Sequence, residues 1–368
     1  MTITYLIGNG LDVGLKLKTD YKSFIDWYLA KQDIPSEMNW VRREMQEQPN
    51  RWSDAEIAFG QLKFAEQGKN PLQVFNRSYD SFTDAFDEYL LERNKHFEIP
   101  KVDRRKTAEE FIKRVVCLHE WMSPQCRQLY LDQMNSQQIS VHFLTFNYTD
   151  TLEQILDFHE GQPNEFSIQM PNNQTLKVLV KSVHHVHGTL DDAYVFGVDM
   201  PDQICDSDVR RYCERNGGML KAKADEKLGL LNRNRGMEIL RKSNRIVTYG
   251  LSFGMSDTSW WKLLYDRVFS RGTGLVVCPF RDDLPERLSA KKRADVYMEE
   301  KKKVFHSLIV SNQKLEVQLE EASPPTIISL RPCKVPDGLG KMHWCDYFRL
   351  STLAWHYTKK QSGIKTNP

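Results

Sequence analysis

The opening of the chain constrains the fold most. Ile3-Thr4-Tyr5-Leu6-Ile7 is a run of β-formers that ends directly on Gly8-Asn9-Gly10. A strand halted by glycines and followed by a helix is how parallel α/β sheets begin, because glycine lets the backbone turn tightly and leaves no Cβ in front of its N–H groups. Such a turn either cradles the phosphates of a nucleotide or is a tight strand-to-helix turn with no ligand. The spacing through Leu11-Asp12-Val13-Gly14 is Gly-x-Gly-x-x-x-Gly, one residue longer than the dinucleotide fingerprint. No second strand ending in an acidic ribose reader comes about 20 residues on, which argues against a hydride-transferring dehydrogenase.

Beyond this turn the chain is almost entirely helical in spacing for more than a hundred residues. Thr19 or Asp20 can cap a helix with Tyr21, Phe24, Ile25, Tyr28 and Leu29 on one face. Phe75, Tyr79, Phe82, Phe86 and Tyr89 recur at three- and four-residue steps, as do Phe111, Val115, Leu118 and Met122. Strand signals then return at Ser140–Phe146, Lys177–Val186, Ala193–Val198, Ile246–Tyr249 and Leu275–Cys278. Between the last two, a helix capped by Ser256 or Asp257 places Trp261, Leu264, Tyr265 and Val268 inward. Residues 284–321 read as charged helix and 322–345 as a Pro-rich connector with a strand at Thr326–Leu330. A last helix is expected from Tyr347 to about Tyr357.

The expected fold is therefore α/β: a Rossmann-like parallel sheet with a large helical insertion after the first strand and a helical C-terminal region. Residues 1–20 and 136–283 form the nucleotide-binding core, 21–135 the insertion, and 284–368 a mostly helical extension.

Composition narrows the class. No stretch approaches the roughly 18–20 apolar residues of a membrane span, and the N-terminus lacks the basic region and cleavage site of a signal peptide. Seven cysteines without a Cys-x-x-Cys fit reduced thiols, so a cytoplasmic location is expected. The formal charge of +2 does not favour general nucleic-acid binding.

Four further stretches could carry chemistry. Asn147, in Thr145-Phe146-Asn147-Tyr148-Thr149-Asp150, stands at a strand end, where ligands of open parallel sheets bind; the alternative is a polar strand-end residue bonded to its own backbone. In His184-His185-Val186-His187-Gly188, His185 and His187 share one face of a strand. Asp191, Asp192 and Asp199 lack ligand spacing, so no metal is expected. His184 reads as a core histidine, whereas a His-Gly pair at a strand end suits contact with a ligand. Gly250-Leu251-Ser252-Phe253-Gly254 with Ser256-Asp257 either offers donors to a second phosphate or ribose, or only caps the next helix. Lastly, 209–246 holds eleven Lys or Arg against four acids, among them Arg210, Arg211, Lys221, Lys223, Arg233, Arg235, Arg241, Lys242 and Arg245. It reads as a solvated loop, a lid over an anionic ligand made flexible by Gly217-Gly218, or a nucleic-acid patch.

Taken in order, these motifs resemble the AbiH family of bacteriophage abortive-infection proteins. The resemblance rests on Ile7-Gly8-Asn9-Gly10-Leu11-Asp12 with Thr19-Asp20-Tyr21-Lys22-Ser23-Phe24, then Phe146-Asn147-Tyr148-Thr149-Asp150-Thr151-Leu152-Glu153. His185-Val186-His187-Gly188-Thr189-Leu190 and Gly250-Leu251-Ser252-Phe253-Gly254 come next, over roughly residues 3–270. That family is in turn similar to the sirtuin-like NAD-binding fold. The similarity implies Asn147 and His187 as catalytic residues. It implies Gly8 and Gly10 as holders of the pyrophosphate, Ser252 at the later Gly-Ser station, and NAD as the ligand or substrate; Asn9, Asp12, Asp150, Gly188, Gly250 and Asp257, from the same motifs, complete the expected nucleotide-binding set. This chain reads Asn147-Tyr148-Thr149 where sirtuin-like hydrolases usually show Asn-Tyr-Asp, with its acid one residue later. It lacks the four-cysteine zinc module of the deacylases.

Nicotinamide leaves NAD as a neutral molecule, so no strong general acid is required. An Asn that orients ribose or water and a His that takes a proton near neutral pH suffice. The expectation is a phage-defence effector that hydrolyses NAD to nicotinamide and ADP-ribose, with a phage-derived trigger or partner protein and a homo-oligomeric state. The alternatives are a non-catalytic nucleotide or ADP-ribose sensor, and a nucleic-acid-acting protein using the basic stretch.

Overall fold

The structure is a computed structural model. It describes residues 1–280 except 96, 100, 122–123, 135–137, 163 and 171–172, and also 289–310, 326–329 and 351–353. The chain opens with β1 (Thr2–Ile7) and the single turn α1 (Gly10–Gly14). Six helices come next: α2 (Tyr21–Ala30), α3 (Asn39–Glu47), α4 (Ala55–Gly60), α5 (Pro71–Asn94), α6 (Lys101–Val116) and α7 (Pro124–Gln133). Then come β2 (Gln138–Thr145), α8 (Thr151–Leu156), β3 (Asn164–Gln169) and β4 (Thr175–His185). After them lie α9 (Ser207–Asn216), α10 (Lys221–Leu228), α11 (Asn232–Lys242), β5 (Arg245–Tyr249), α12 (Thr258–Tyr265) and β6 (Gly274–Cys278). Helix α13 (Ala290–Val310) and the short strands β7 (Thr326–Ser329) and β8 (Ser351–Leu353) complete the described elements.

The sheet runs β3-β4-β2-β1-β5-β6 and is extended by β7 and β8. Pairing is parallel except between β3 and β4 and between β7 and β8. β1 is central, and Ile3 through Ile7 are buried whichever way they point, as expected of a parallel strand covered on both faces. On one face Tyr5, Val141, Phe143 and Val178 pack against Phe111 and Ile112 of α6 and Ile155 of α8. On the other, Leu6, Leu144, Ile246 and Val277 meet Trp260, Trp261 and Leu264 of α12 and Leu308 of α13.

The helices after β1 divide between two jobs. α6 and α7 cover the sheet, whereas α2 to α5 close a separate aromatic core together with Phe196, Val198 and Met219 from the segment after β4. Phe82 is its hub, with ring centroids 5.1 Å from Phe59 and 5.3 Å from both Phe24 and Phe196.

Three expectations are corrected. Ala193–Val198 makes isolated bridges only, Gly188 to Tyr194 and Val198 to Leu220. Val195, Phe196 and Val198 are all buried, so the segment lacks two-residue alternation and serves the helical core. The edge strand β3 lies where no strand is expected, although Asn164, Phe166 and Ile168 alternate with exposed neighbours. The helix expected over Tyr347–Tyr357 contains instead the strand β8, whose pairing with β7 overrides the local pattern; the remainder of that stretch lies outside the described residues. The strand at Thr326–Ser329 and a helix within 284–321 are present.

Because Phe82 is wholly buried in a ring cluster, Phe82→Ala should destabilise the protein by about 3–5 kcal/mol. Urea unfolding followed by tryptophan fluorescence checks this.

Candidate functional site

The strand order places the direction change of the chain between β1 and β5, the position where open α/β sheets bind ligands beyond their carboxyl ends. Here the two strand-end loops touch backbone to backbone. Gly8 N donates to Tyr249 O and Gly10 N to Gly250 O, both at 2.9 Å. A Cβ on Gly8 would stand 2.6 Å from Gly250 O, and one on Gly10 2.5 Å from the Gly250 Cα. Glycine at these positions is thus required by the protein's own packing, and both N–H groups are engaged within the chain. Gly188 is likewise required by its turn: its φ is +86°, and a Cβ would meet Ala193 O at 2.0 Å.

Beside this contact lies a buried carboxylate. Asp12, the third residue of α1, accepts from Thr149 Oγ1 at 2.6 Å, Asn147 Nδ2 at 3.1 Å and Thr19 Oγ1 at 3.3 Å. Thr19 also donates to Asn9 Oδ1 at 2.6 Å, and Thr151 to Thr149. Among the described residues no cation pairs with Asp12. Burial raises its pKa to about 6 against the opposing pull of these donors. Asn147 Oδ1 is buried without a partner among the described residues. The Asn147 backbone oxygen faces His185 Nδ1 at 2.9 Å, and the other nitrogen of that ring lies 2.6 Å from Glu153. Both nitrogens of His185 meet acceptors, so the ring fits best as imidazolium. Burial opposes that charge, yet the Glu153 bond holds its pKa above the ordinary value.

A second cluster is built on His187. Its Nε2 is 2.9 Å from Asp257 Oδ1, within ion-pair distance but off the axis of a hydrogen bond. Phe146 and Tyr148 flank the ring, with centroids 5.5 and 6.3 Å away. Lys221, fully buried at the start of α10, reaches the same Asp257 oxygen at 2.8 Å and Glu56 Oε2 at 3.1 Å. The other Glu56 oxygen accepts from Gly197 N at 3.1 Å and Tyr148 Oη at 3.3 Å. Burial drives Asp257 upward, but Lys221 and His187 outweigh it and hold the carboxyl far below its usual range. Next to this, Asp199 pairs with Arg233 at 2.7 Å and accepts from Ser259 N and Oγ.

The expected site residues therefore separate. Gly8, Asn9, Gly10, Asp12, Asn147 and Gly250 converge on the β1–β2–β5 edge, and His187 and Asp257 form the neighbouring cluster. Asp150 turns away to Asn94 and Gln154, and Ser252 is exposed. Thr19, Tyr148 and Thr149 join the site from within the motifs, although none is expected there as a site residue; Glu56 and Lys221 join it without a sequence signal of their own. Glu56 sits inside an uninformative helical pattern, and Lys221 is hidden in the basic stretch. That stretch is not the expected solvated loop: it is mostly helical, in α9, α10 and α11, and Lys221, Arg233 and Arg245 are buried, while Arg211, Lys223, Arg235, Arg241 and Lys242 are exposed. Among the described residues, no group of three or more His, Cys, Asp or Glu is placed to hold a metal. No helix there is long and apolar enough to cross a membrane.

The fold is a mostly parallel α/β sheet with buried acid–amide and acid–histidine pairs at its carboxyl edge. A family model described as bacteriophage abortive infection AbiH matches residues 4–278, and the chain belongs to that family. No curated protein and no solved structure matches.

The raised pKa of Asp12 has a consequence for stability. The folded state keeps its proton up to about pH 6, whereas the unfolded chain releases it near 3.8. Between those values the native state binds more protons, so this group's contribution falls as pH rises from about 4 to 6. The loss is on the order of 3 kcal/mol. Asp12→Asn should be more stable than the native protein at pH 7 by up to that amount, with the gap closing at pH 4. Paired urea titrations at the two pH values measure it.

Proposed function

We propose that this protein is an abortive-infection effector that binds a nucleotide at the carboxyl edge of its sheet and hydrolyses NAD to nicotinamide and ADP-ribose. The observation that carries the reading is the Asp12–Asn147 pair. A carboxylate that titrates at about 6 stands beside an amide oxygen with no partner, and both are acceptors. Ribose hydroxyls and a water are donors. Loss of nicotinamide leaves an oxocarbenium-like centre that needs negative charge nearby and a positioned water. Asn147 orients ribose or water, the Asp12 carboxylate stabilises the cationic centre, and His187 with Asp257 takes up the proton. These roles for Asn147 and His187 are the ones a sirtuin-like resemblance of the motifs would imply. In this reading Gly8, Asn9, Gly10, Gly188 and Gly250 shape the nucleotide edge.

The loop contact supports a resting state. Asp12 is fully covered and the glycine N–H groups are engaged. A pyrophosphate gains those donors when the loops after β1 and β5 part, as suits an effector that is silent until triggered. The same closure favours a second reading, a nucleotide sensor that changes shape without catalysis. The basic stretch gives little support to nucleic-acid action, since Lys221 and Arg233 are spent on buried acids.

The test is incubation with NAD of protein purified from infected and from uninfected cells, with chromatography of the products. Nicotinamide and ADP-ribose are expected with the triggered protein, and Asn147→Ala and His187→Ala should each lower the rate by ~10²–10⁴. Calorimetric binding of ADP-ribose with no cleavage in either preparation would establish the sensor.

A further inference from the structure

The buried charges beyond the Asp12 pair have an arrangement that packing alone does not require. Asp257 Oδ1 is shared: Lys221 Nζ lies 2.8 Å from it and His187 Nε2 2.9 Å from it. Lys221 is held from its other side by Glu56 Oε2 at 3.1 Å and by Ser256 O at 3.4 Å. These groups come from four places in the chain. Glu56 is on α4, Lys221 opens α10, Asp257 precedes α12, and His187 lies just past β4. Tyr148 closes the ring of contacts, with its hydroxyl on Glu56 and its ring beside His187.

We propose that Lys221 is a positioning residue for His187: it competes with the imidazole for one oxygen of Asp257, and Glu56 on α4 sets how strongly it does so. The coupling is electrostatic. Charges a few ångströms apart in a dry interior interact strongly. The Lys221 ammonium weakens the hold of Asp257 on an imidazolium and repels that cation directly. Glu56 acts the other way, both by engaging Lys221 and by its own negative charge. The groups facing the His187 ring are Asp257 from the turn before α12, Lys221 from α10, Glu56 from α4, and Tyr148 from the loop after β2. Burial raises the Tyr148 hydroxyl well above its ordinary pKa, so Tyr148 stays neutral; Asp54, before α4, also acts on Lys221, Asp257 and Glu56, and Asp199 acts on Lys221, and both are unchanged in the variants below. A shift of α4 would thus reach His187 through two contacts. The functional consequence rests on His187 acting on a proton as proposed above, whereas the coupling itself does not.

The experiment is NMR titration of the full chain with labelled histidine, the His187 signal being identified by its loss in His187→Gln. The midpoint of the His187 titration should move up by about one pH unit in Lys221→Met and down by a similar amount in Glu56→Gln. Glu56→Gln keeps the shape and hydrogen-bonding capacity of the side chain. The double variant Lys221→Met/Glu56→Gln removes both charges, so it serves if the single lysine variant does not fold; its midpoint should lie between those of the two single variants. Opposite shifts support the coupling, because a general loosening of the fold would move both variants the same way. Shifts of equal sign, or midpoints unmoved in the folded variants, would overturn it. If the titrations behave as expected and NAD is not cleaved, the catalytic reading fails and the coupling stands. If NAD is cleaved and the midpoints do not move, the coupling alone is wrong.

Discussion

The direct backbone contact between the loops after β1 and β5 is the constraint on which the rest of the site depends. Gly8 and Gly10 lie so close to Gly250 that there is no room for a Cβ on any of the three. This contact brings α1 up against the sheet edge and so places Asp12 beside Asn147 and Thr149. It also places the Gly250–Asp257 loop beside the end of β4, where Asp257 meets His187. A larger residue at any of these glycines would clash with the facing loop.

The second determinant is the treatment of buried charge. Lys221, Glu56, Asp257, Asp199 and Arg233 are almost fully withdrawn from water, and each is paired. Removing one partner of such a pair commonly costs about 3–5 kcal/mol because the other is left uncompensated. Asp12 is different. It is as deeply buried, yet its partners are two hydroxyls and an amide with no cation among the described residues; burial raises its pKa, as it does that of Glu56 despite Lys221. A neutralisable acid beside an unpartnered acceptor suits a group awaiting a ligand, whereas the paired cluster suits a fixed support. Helix α4 belongs to the aromatic core of the helices after β1 and also carries Glu56. The helical insertion therefore forms part of the site's electrostatic surroundings as well as its cover.

Much of this is legible in the sequence, for identifiable reasons. β1, β2, β5 and β6 announce themselves because central parallel strands are short runs of β-formers that stop at glycine, asparagine or proline. Asn147, His187 and Asp257 can be named because they stand at strand ends or a helix start, where backbone geometry aims side chains at the edge. The partners of those residues are not legible. Asp12 meets Thr149 across 137 positions, and Lys221 meets Glu56 across 165. No local period encodes such pairings. Helical spacing predicts that Phe24, Phe82 and Phe86 are buried, but not that Phe196 from beyond β4 joins them. The basic stretch misleads for a related reason: charge count does not reveal that Lys221 and Arg233 have buried acids waiting for them.

The central claim is that the carboxyl-edge site acts on NAD when infection releases it. The most direct measurement is cellular NAD through a phage challenge, in bacteria carrying the native gene or the Asn147→Ala and His187→Ala forms at matched protein levels. NAD should fall before lysis in protected cells with the native protein, and both the fall and the protection should be lost in the two variants. Protection with NAD undiminished, persisting in both variants, would contradict the claim.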